Sequence, residues 1–423
     1  SVIDKVREAS EGEHIPLTLS IGLATSFPDV VKLNELATAA LSIAMSRGGD
    51  QVVVSVYGSE MEFYGGKTEA QEKRNRVRIR VLADSLINLI SNASNVLIMG
   101  HTQLDMDSLG SCLGIKAICD RCNVQSNLVI DLKATEGKTR SAITSCFSKQ
   151  ELEKLIISSK AAEGLVESNT LIVVVDVHTP NMVMAPNLLE KSGRIVVIDH
   201  HRRGEEYIES LVFDYIDPSA SSATEIITEL IRYASISPRI DVSPTYATIM
   251  LSGIFLDSDF YKSNNTGIRT FESSTILKEF GANNALADDL LKDDYEEYKE
   301  TTSLLSNVKT LNLGVVYSIA DKNTYYDNVA ISKAATTCLS MKGVHASFVI
   351  GRISSKEIKL SARSDGLINV SLICEKMGGG GHFTMAAATF YKSDIEEVEK
   401  LLIETVDKYL NDAMSDAQNV HKV

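Results

Sequence analysis

Short apolar runs alternate with amphipathic, helix-like segments between residues 93 and 300 of this chain. Continuous apolar runs that are separated by helical segments are typical of parallel strands buried on both faces of a sheet. The pattern therefore predicts an α/β domain with a parallel sheet. The predicted strands are Val96–Met99, Leu128–Ile130, Leu171–Val175 and Ile195–Ile198.

The rest of the chain predicts smaller regions on either side of this domain. The first region has the pattern helix, strand, helix, strand, with strands at Leu17–Leu23 and Gln51–Val56 and a helix at Leu33–Met45. A linker with a long basic helix follows it, and a smaller α+β region follows the parallel-sheet domain. The predicted boundaries are 1–58, 59–92 for the linker, 93–300 for the parallel-sheet domain, 301–415 for the α+β domain and 416–423 for a polar tail.

Residues that can bind metal ions directly follow three of the predicted strands. Ligands of open α/β sheets bind outside the carboxyl ends of the strands, so we expect these side chains to meet at one edge. A lone aspartate after a strand is usually a helix N-cap, but three such motifs behind three strands favour a metal site. In chain order the residues are His101, Asp105 and Asp107, then Asp176 and His178, then Asp199, His200 and His201.

The mixture of imidazoles and carboxylates indicates which ions suit this edge. Such donors favour Mn²⁺, Zn²⁺, Fe or Co²⁺ over Ca²⁺, and several aspartates without cysteine favour a harder ion such as Mn²⁺. More than four strong ligands at one edge exceed the needs of one tetrahedral ion, which predicts two ions. A two-metal site is suited to in-line displacement at phosphorus.

A further carboxylate comes from a helix-like segment that ends near Asp257 and Asp259. Its apolar residues recur at helical spacing, so the end of the helix can reach the same edge. By spacing alone, the two aspartates are equal candidates, and a helix cap is as probable a role as a metal ligand.

Composition narrows the class of protein. The chain has 423 residues with 56 acidic and 42 basic side chains, and the net charge is −14. The length suggests about three domains, and 44% hydrophobic residues exclude wholesale disorder. The acidic balance argues against binding duplex nucleic acid. We expect no transmembrane helix, no membrane contact and no signal peptide in this chain, and the Ser1 start suggests a fragment of a longer protein.

Six cysteines in so long a chain do not form a disulfide framework. Cys119 and Cys122 have the spacing of half a zinc site, but no second pair with matching spacing exists. We therefore expect reduced thiols, mostly in the core, and a cytoplasmic location.

The strand-end motifs resemble the signature of the DHH phosphoesterase family, and the run Gly378-Gly379-Gly380-Gly381-His382 resembles that of the DHH-associated C-terminal domain. The resemblance implies that Asp176 bridges two ions, that Asp257 is a ligand in preference to Asp259, and that His201 faces the substrate phosphate. The implied ligands are His101, Asp105 and Asp176 for one ion, and Asp107, Asp176, His200 and Asp257 for the other; the implied catalytic residues are His201, Asp176 and Asp199.

The linker narrows the resemblance to one subfamily. Residues 63–69 with the basic segment 73–78, and residues 197–206, are similar to the GdpP-type cyclic di-AMP phosphodiesterases, in which a degenerate GGDEF domain precedes the phosphoesterase. Residues 1–58 look like the last third of such a domain. Gly48-Gly49-Asp50 lies at a terminal helix-to-strand turn and is not the cyclase signature, so this region cannot make a cyclase. The resemblance also implies upstream sensor and transmembrane segments, and thus a membrane-anchored full-length protein.

The glycine run is a candidate phosphate site, because glycines can present backbone N–H groups in conformations closed to other residues. The run follows a predicted helix, Val370–Met377, whose dipole opposes an anion. Phosphate binding would then need the loop amides, His382 and a nearby cation, for which Arg363 is the candidate. The alternative is a flexible helix stop. The predicted substrate-binding residues are Arg363, Gly378, Gly379, Gly380, Gly381 and His382.

Two features leave alternatives open. Asn265 stands where the subfamily usually has the arginine of Arg-Thr-Gly, which bears on phosphate affinity or base preference and not on the metal site. The basic stripe on the linker helix is either a solvated face or a surface that couples an upstream sensor or pairs across a homodimer. The stripe consists of Lys73, Arg74, Arg76, Arg78 and Arg80.

Together these observations predict an enzyme that uses two Mn²⁺ ions to hydrolyse cyclic di-AMP to linear pApA. One alternative is a hydrolase of linear dinucleotides and short oligonucleotides, which needs the same metal motifs. A nucleotide-binding sensor without turnover is the other alternative, and it is weakened because no metal-ligand position is substituted.

Overall fold

The computed structural model of the chain describes residues 2–9, 19–26, 30–46, 51–56, 61–64, 70–202, 204, 206–263 and 265–420. It divides into two compact units, one of Ser1–Gly66 with Asp293–Val423 and one of Lys67–Lys292. The Gly48-Gly49-Asp50 turn, the start of the strand predicted at Leu17–Leu23, linker residues 65–69 and the last three residues lie outside the described residues. So do the side chains of Lys73, Arg74 and Arg76.

The N-terminal segment contains a small parallel sheet. Its elements are α1 (Val2–Ala9), β1 (Ile21–Thr25), α2 (Val30–Ser46), β2 (Val52–Val56) and β3 (Glu62–Tyr64). Strands β1 and β2 pair in parallel, and β3 adds to β2 in antiparallel orientation. Ala40 and Ala44 of α2 and Val53 of β2 are buried together.

The central unit is a parallel sheet with helices. Its elements are α3 (Ala70–Ser91), β4 (Val96–Met99), α4 (Met106–Arg121), β5 (Ser126–Val129), α5 (Gly137–Cys146), α6 (Lys149–Leu155), β6 (Ile156–Ile157), α7 (Ser159–Glu163), β7 (Leu171–Val175), α8 (Pro186–Lys191), β8 (Ile195–Asp199), β9 (Leu211–Ile216), α9 (Ala223–Tyr233), α10 (Pro244–Asp257), α11 (Ile268–Glu279) and α12 (Asn284–Asp289), with a 3₁₀ turn at Pro180–Met182.

The six strands of this sheet have the order β6-β5-β4-β7-β8-β9, and every neighbouring pair is parallel. Every residue of β4, β7 and β8 is buried, as expected for strands covered by helices on both faces. The prediction of a parallel-sheet α/β domain is therefore confirmed. The sequence pattern missed the two edge strands, because β6 has two residues and β9 is only partly buried.

Two glycines let helices α4 and α10 approach each other closely. A Cβ atom on Gly253 would lie 2.8 Å from the Cα of Asp107, and one on Gly110 would lie 2.9 Å from the Cα of Met250. Both separations are shorter than ordinary carbon contacts, so these positions require glycine. The close approach brings the last residue of α10, Asp257, to the first turn of α4.

The C-terminal region contains a second six-stranded sheet and is the expected smaller α+β domain. Its elements are α13 (Tyr295–Leu305), β10 (Lys309–Thr310), β11 (Val315–Ile319), α14 (Asn328–Cys338), β12 (Ala346–Ser354), β13 (Glu357–Ser364), α15 (Val370–Lys376), β14 (Gly380–Gly381), β15 (Met385–Tyr391) and α16 (Ile395–Val420). The strand order is β10-β11-β12-β13-β15-β14. Strands β11 and β12 are parallel, and the other neighbours are antiparallel.

The expectations from composition concerned the state of the cysteines and the character of the helices. All six cysteines are free, and Cys112, Cys119, Cys338 and Cys374 are buried. Among the described residues, no helix has both the length and the apolar composition that a membrane crossing requires.

Candidate metal centre

The carboxyl ends of β4, β7 and β8 lie side by side and carry three groups of potential metal ligands. Within each group, the candidate ligand atoms lie within 4.8 Å of one another. Asp176 belongs to two of the groups and His200 to two, so the three groups form one continuous cluster. The groups are His101, Asp105 and Asp176; Asp107, His200 and Asp257; and Asp176, Asp199, His200 and His201.

The first group is built on the turn that leaves β4. His101 Nε2 lies 3.5 Å from Asp105 Oδ2 and 3.4 Å from Asp176 Oδ2. Asp105 is also the N-cap of α4, since its Oδ1 accepts a hydrogen bond of 2.9 Å from the Ser108 N–H. The cap uses one carboxylate oxygen and leaves the other facing His101, so the two roles that the sequence offered are compatible.

The second group joins β8 to the facing ends of α4 and α10. His200 Nε2 lies 3.0 Å from Asp257 Oδ2 and 3.9 Å from Asp107 Oδ2. The N–H groups of Ala223 and Thr224, at the start of α9, donate to the Asp107 carboxylate at 2.7 and 2.9 Å. The positive end of α9 therefore orients this fully buried carboxylate. Asp259 is not part of the cluster that the described residues form.

Asp176 lies between the two groups. Its Oδ2 faces His101, and its Oδ1 lies 3.4 Å from His200 Nε2. The residue has φ of 61°, in the left-handed region that non-glycine residues seldom occupy. Such a conformation costs of the order of 1 kcal/mol and persists where the surrounding structure enforces it. Here it directs the carboxylate out of the end of β7 toward both histidines.

The cluster fits divalent cations. Asp176 Oδ1 and His200 Nε2 are buried and make no hydrogen bond with any described residue, although acidic or basic atoms lie 3.0–3.9 Å away. Buried polar atoms without partners are costly, and atoms that face one another across such gaps are arranged as ligands of shared ions would be. The cluster of carboxylates and imidazoles is thus able to bind metal ions.

Electrostatics within the cluster point the same way. Burial by itself would lower the pKa of His101, but Asp105 and Asp176 raise it to about 10. Burial would also lower the pKa of His200, but the carboxylates of Asp176 and Asp257 outweigh burial and raise this pKa to about 12. Burial raises the pKa of the Asp107 carboxyl, and neighbouring carboxylates add to the rise. A concentration of negative charge therefore attracts cations to this edge, whether protons or metal ions.

Asp199, which we predicted as catalytic, lies in the cluster and uses both of its carboxylate oxygens in contacts with neighbouring residues. Its side chain is fully buried. Its Oδ1 accepts from the backbone N–H groups of His200 and His201 and contacts His201 Nδ1 at 2.8 Å. Its Oδ2 lies 2.5 Å from His178 Nδ1. Both oxygens are therefore engaged within the protein. His201 is held at one ring nitrogen, and 58% of its side-chain surface is exposed.

His178 is among the strand-end candidates, but the prediction assigned it neither to an ion nor to catalysis. It was visible in the motif after β7, but nothing in the spacing indicated that its imidazole would pair with Asp199, 21 residues further along. The pairing links the end of β7 to the end of β8. It therefore supports the orientation of His201 through a carboxylate, as partners of active-site imidazoles commonly do.

The glycine run lies in the C-terminal region, where it ends a helix and forms a short strand and is not a free loop. The N–H groups of Gly378 and Gly379 donate to the carbonyls of Glu375 and Cys374 and end α15. Gly380 and Gly381 form β14 and pair with Ala387 and Ala386 of β15. The His382 N–H donates to the Met385 carbonyl at 2.7 Å. The amides of Gly378, Gly379 and His382 are therefore already in use, and the expectation that loop amides are free to bind phosphate needs correction for these three.

Arg363 lies on β13, beside the strand that pairs with β14. It is half-buried, and its guanidinium donates to the Ser361 hydroxyl and the Ala362 carbonyl at 3.1 and 2.9 Å. Among the described residues, no carboxylate forms an ion pair with it. Gly380 lies on the same face of the sheet by register, and a Cβ atom added there would meet nothing within 4 Å.

Comparison with protein families accounts for most of the chain. Residues 95–254 match the DHH family, N-terminal domain; residues 312–412 match the DHHA1 domain; and residues 1–62 match the cyclic-di-AMP phosphodiesterase GdpP-like GGDEF domain. The chain therefore contains a DHH-family N-terminal domain followed by a DHHA1 domain. The family resemblance predicted from the strand-end motifs is confirmed, including the order of the three domains.

Two relatives match almost the whole chain. This chain is 37% identical over 409 residues to the cyclic-di-AMP phosphodiesterase GdpP of Geobacillus thermodenitrificans, and the match covers 97% of this chain and 62% of that protein. It is 38% identical over 409 residues to the cyclic-di-AMP phosphodiesterase PdeA of Listeria monocytogenes, covering 96% of this chain and 62% of that protein. The chain thus spans somewhat less than two thirds of the length of these relatives.

A solved structure with the same fold is an exopolyphosphatase-related protein from Bacteroides fragilis. The TM-score is 0.63 at 20% sequence identity, covering 79% of this chain and 98% of that one. At this identity the likeness supports the fold alone.

Proposed function

We propose that this chain is a metal-dependent phosphodiesterase that hydrolyses one phosphodiester bond of cyclic di-AMP and releases linear pApA. The observation that carries the proposal is the cluster at the sheet edge, in which Asp176 faces ligand groups on both sides. The names of its two relatives, both cyclic-di-AMP phosphodiesterases, support the choice of substrate.

In the proposed centre, two Mn²⁺ ions occupy the cluster. One is held by His101, Asp105 and Asp176, and the other by Asp107, His200 and Asp257 together with Asp176. When bound, such ions act as Lewis acids and lower the pKa of water, which makes a protein nucleophile unnecessary.

The protein's own residues orient the reaction. Asp176 holds the two halves of the centre together because each of its oxygens faces a different histidine. His201, fixed at Nδ1 by Asp199, is left with its exposed edge available to a phosphate oxygen. The buried pair of His178 and Asp199 prevents that ring from rotating away.

We further propose that Arg363, Gly380, Gly381 and His382 bind the nucleotide away from the bond that is cut. A half-buried guanidinium without a carboxylate partner among the described residues is suited to an anion. Gly378 and Gly379 serve this surface by ending α15 and not by donating to phosphate. The open space above Gly380 permits close approach of a ligand to the backbone.

A hydrolase of linear dinucleotides is the second candidate, because the same cluster would serve it. The match of residues 1–62 to the GdpP-like GGDEF domain favours the cyclic substrate. On the same resemblance, we propose that the chain acts as a cytoplasmic homodimer within a longer, membrane-anchored protein. Light scattering after size exclusion would test the dimer: a mass near twice 46.1 kDa is expected, and a mass of one chain would contradict it.

The decisive experiment supplies Mn²⁺ and, in separate reactions, cyclic di-AMP, cyclic di-GMP and pApA, and separates the products by chromatography. We expect pApA to accumulate from cyclic di-AMP, and Asp176→Ala to abolish its formation. Rapid conversion of pApA to AMP with little attack on the cyclic dinucleotide would favour the second candidate. Saturable binding without turnover of any of the three would instead indicate a sensor.

A further inference from the structure

Arg269, near the start of α11, is a largely buried cation that the proposed reaction does not use. Its guanidinium donates to both carboxylate oxygens of Glu229, at 2.9 and 2.6 Å, and to Asp217 at 2.8 Å. A third carboxylate, Glu225, lies 3.7 Å from its Nε. Three carboxylates around one guanidinium form a buried network that connects α9, α11 and the end of β9.

The network continues to the first turn of α9. Thr270, next to Arg269, donates its hydroxyl hydrogen to Glu225 Oε2 at 2.7 Å. The same oxygen accepts from the hydroxyl of Ser221 at 2.6 Å, just before the helix begins. Glu225 is almost completely buried. The position of the α9 N-terminus is therefore fixed by side chains of α11.

That helix terminus is the part of α9 that holds a proposed metal ligand. The N–H groups of Ala223 and Thr224 donate to the two oxygens of Asp107. A shift of the first turn of α9 would therefore move the carboxylate or remove its hydrogen bonds.

A second route from Arg269 ends at the same half of the centre. Asp217, its partner at the end of β9, donates its backbone N–H to the carbonyl of Asp199 at 2.9 Å. The next residue after Asp199 is His200. Both routes thus reach ligands of the ion assigned to Asp107, His200 and Asp257. The His101 and Asp105 side is held by the α4 N-cap, which Arg269 does not contact.

We propose that Arg269 and Thr270 are positioning residues for one ion of the pair, the ion held by Asp107, His200 and Asp257. This inference rests on the two-ion centre of the proposed function. The network keeps the α9 terminus and the end of β8 at fixed positions, so that the ligands are arranged before the ion binds. Loss of the network should weaken one ion selectively and leave the ion at His101 and Asp105 in place.

The chain provides a matched control for the experiment. Arg232 of α9 pairs with Glu279 of α11 at 3.0 Å, so it joins the same two helices, but at the surface. The variants to compare are Arg269→Lys, which retains the charge but loses the two-pronged contact, Thr270→Val, which removes one hydroxyl, and Arg232→Lys. Asp105→Asn and Asp107→Asn identify which binding constant belongs to which ion.

The measurements are calorimetric titration of the metal-free protein with Mn²⁺, paramagnetic resonance of the bound Mn²⁺ pair, and the melting temperature of each metal-free variant. For Arg269→Lys we expect about a tenfold to 100-fold weaker affinity for the ion that Asp107→Asn also weakens, with the other ion changed less than about twofold. Thr270→Val should give a smaller effect of the same pattern, and Arg232→Lys none.

The outcomes separate this inference from the proposal on which it rests. Wild-type protein that binds fewer than two Mn²⁺ ions would overturn the two-ion centre, and this inference with it. Two ions in the wild type, with both weakened equally or neither weakened in Arg269→Lys and Thr270→Val, would overturn the positioning role alone. If Arg269→Lys does not fold, Thr270→Val decides, because it removes only the two hydrogen bonds of one hydroxyl, to Glu225 and from the Gly267 N–H, and leaves every charge in place.

Discussion

The edge of the parallel sheet and the edge of the C-terminal sheet both carry polar motifs, but they use them differently. At the first edge, backbone hydrogen bonds are completed within the sheet, and side chains such as Asp176 extend beyond the strand ends. At the second, four of the five motif residues are glycines, whose polar groups are all backbone, and the fifth is His382. The N–H groups of Gly378, Gly379 and His382 donate hydrogen bonds within the protein, which end a helix and close a turn. Side chains that extend beyond the strand ends therefore remain able to bind a ligand after folding. Backbone N–H groups can lose this ability, because secondary structure uses them in hydrogen bonds.

The largest expected effect comes from a substitution at the centre of the cluster at the parallel-sheet edge. Asp176→Ala removes the carboxylate that both halves of the cluster share, so we expect loss of both ions and a fall in kcat of several decades, roughly 10³-fold or more. Steady-state kinetics on cyclic di-AMP with metal analysis provide the measurement. Asp259→Asn is the control, since it changes a neighbouring carboxylate outside the cluster. Two tightly held ions in Asp176→Ala would contradict the bridging role.

The next largest effect is expected from replacing Arg363, the candidate substrate-binding side chain of the C-terminal sheet. Arg363→Ala should raise KM by roughly tenfold to 100-fold, the cost of one charge-assisted hydrogen bond, with kcat little changed. Some loss of kcat is compatible, because binding remote from the reacting bond also positions it. Arg363→Lys should recover part of the affinity. Unchanged KM and kcat in Arg363→Ala would show that this arginine does not contact the substrate.

The charge of the first region predicts a dependence of metal binding on pH. Without ions, the pKa of His101 is about 10 and that of His200 about 12, because of the adjacent carboxylates, so both imidazoles are protonated at neutral pH. An ion can bind only to the neutral ring, so each ion displaces about one proton. The apparent affinity for Mn²⁺ should therefore rise about tenfold per pH unit for each ion between about pH 6 and 8.

Calorimetry in buffers with different ionisation enthalpies measures the released protons directly. The comparison variant is His345→Ala, because His345 pairs with Asp365 in the C-terminal region and is not part of the cluster. Its titration should match that of the wild type. Mn²⁺ binding that releases no protons would show that the two imidazoles are not displaced by metal.

The smallest effect distinguishes structural from functional glycines in the second region. A Cβ atom at Gly379 would lie 2.1 Å from the Ala387 carbonyl oxygen, so Gly379→Ala should lower the melting temperature clearly. A Cβ atom at Gly380 meets nothing, so Gly380→Ala should melt like the wild type. If substrate approaches this backbone, Gly380→Ala raises KM, by roughly twofold to fivefold, through steric contact with the ligand. Equal KM in the wild type and in Gly380→Ala would remove the glycine surface from the substrate site.

Much of the first region could be predicted from the sequence because its signal is local. Buried parallel strands appear as continuous apolar runs, and the residue after each run is necessarily at the edge. The edge strand β9 was missed because Tyr215 is its only buried residue, so it lacks the continuous burial of the central strands. The choice between Asp257 and Asp259 depended on where α10 ends relative to His200, which spacing cannot fix to within one turn.

The sequence by itself determined the class of the fold, the sheet edge and most of the candidate ligands, because strand periodicity and the identity of strand-end residues are properties of short segments. Tertiary structure alone decided which atoms face each other. The pairing of His178 with Asp199, the hydrogen bonds from the start of α9 to Asp107, and the contacts of Arg269 join residues 21 to 117 positions apart. Such contacts follow from how helices and strands pack, and packing is set by the whole core and not by any one segment of the chain.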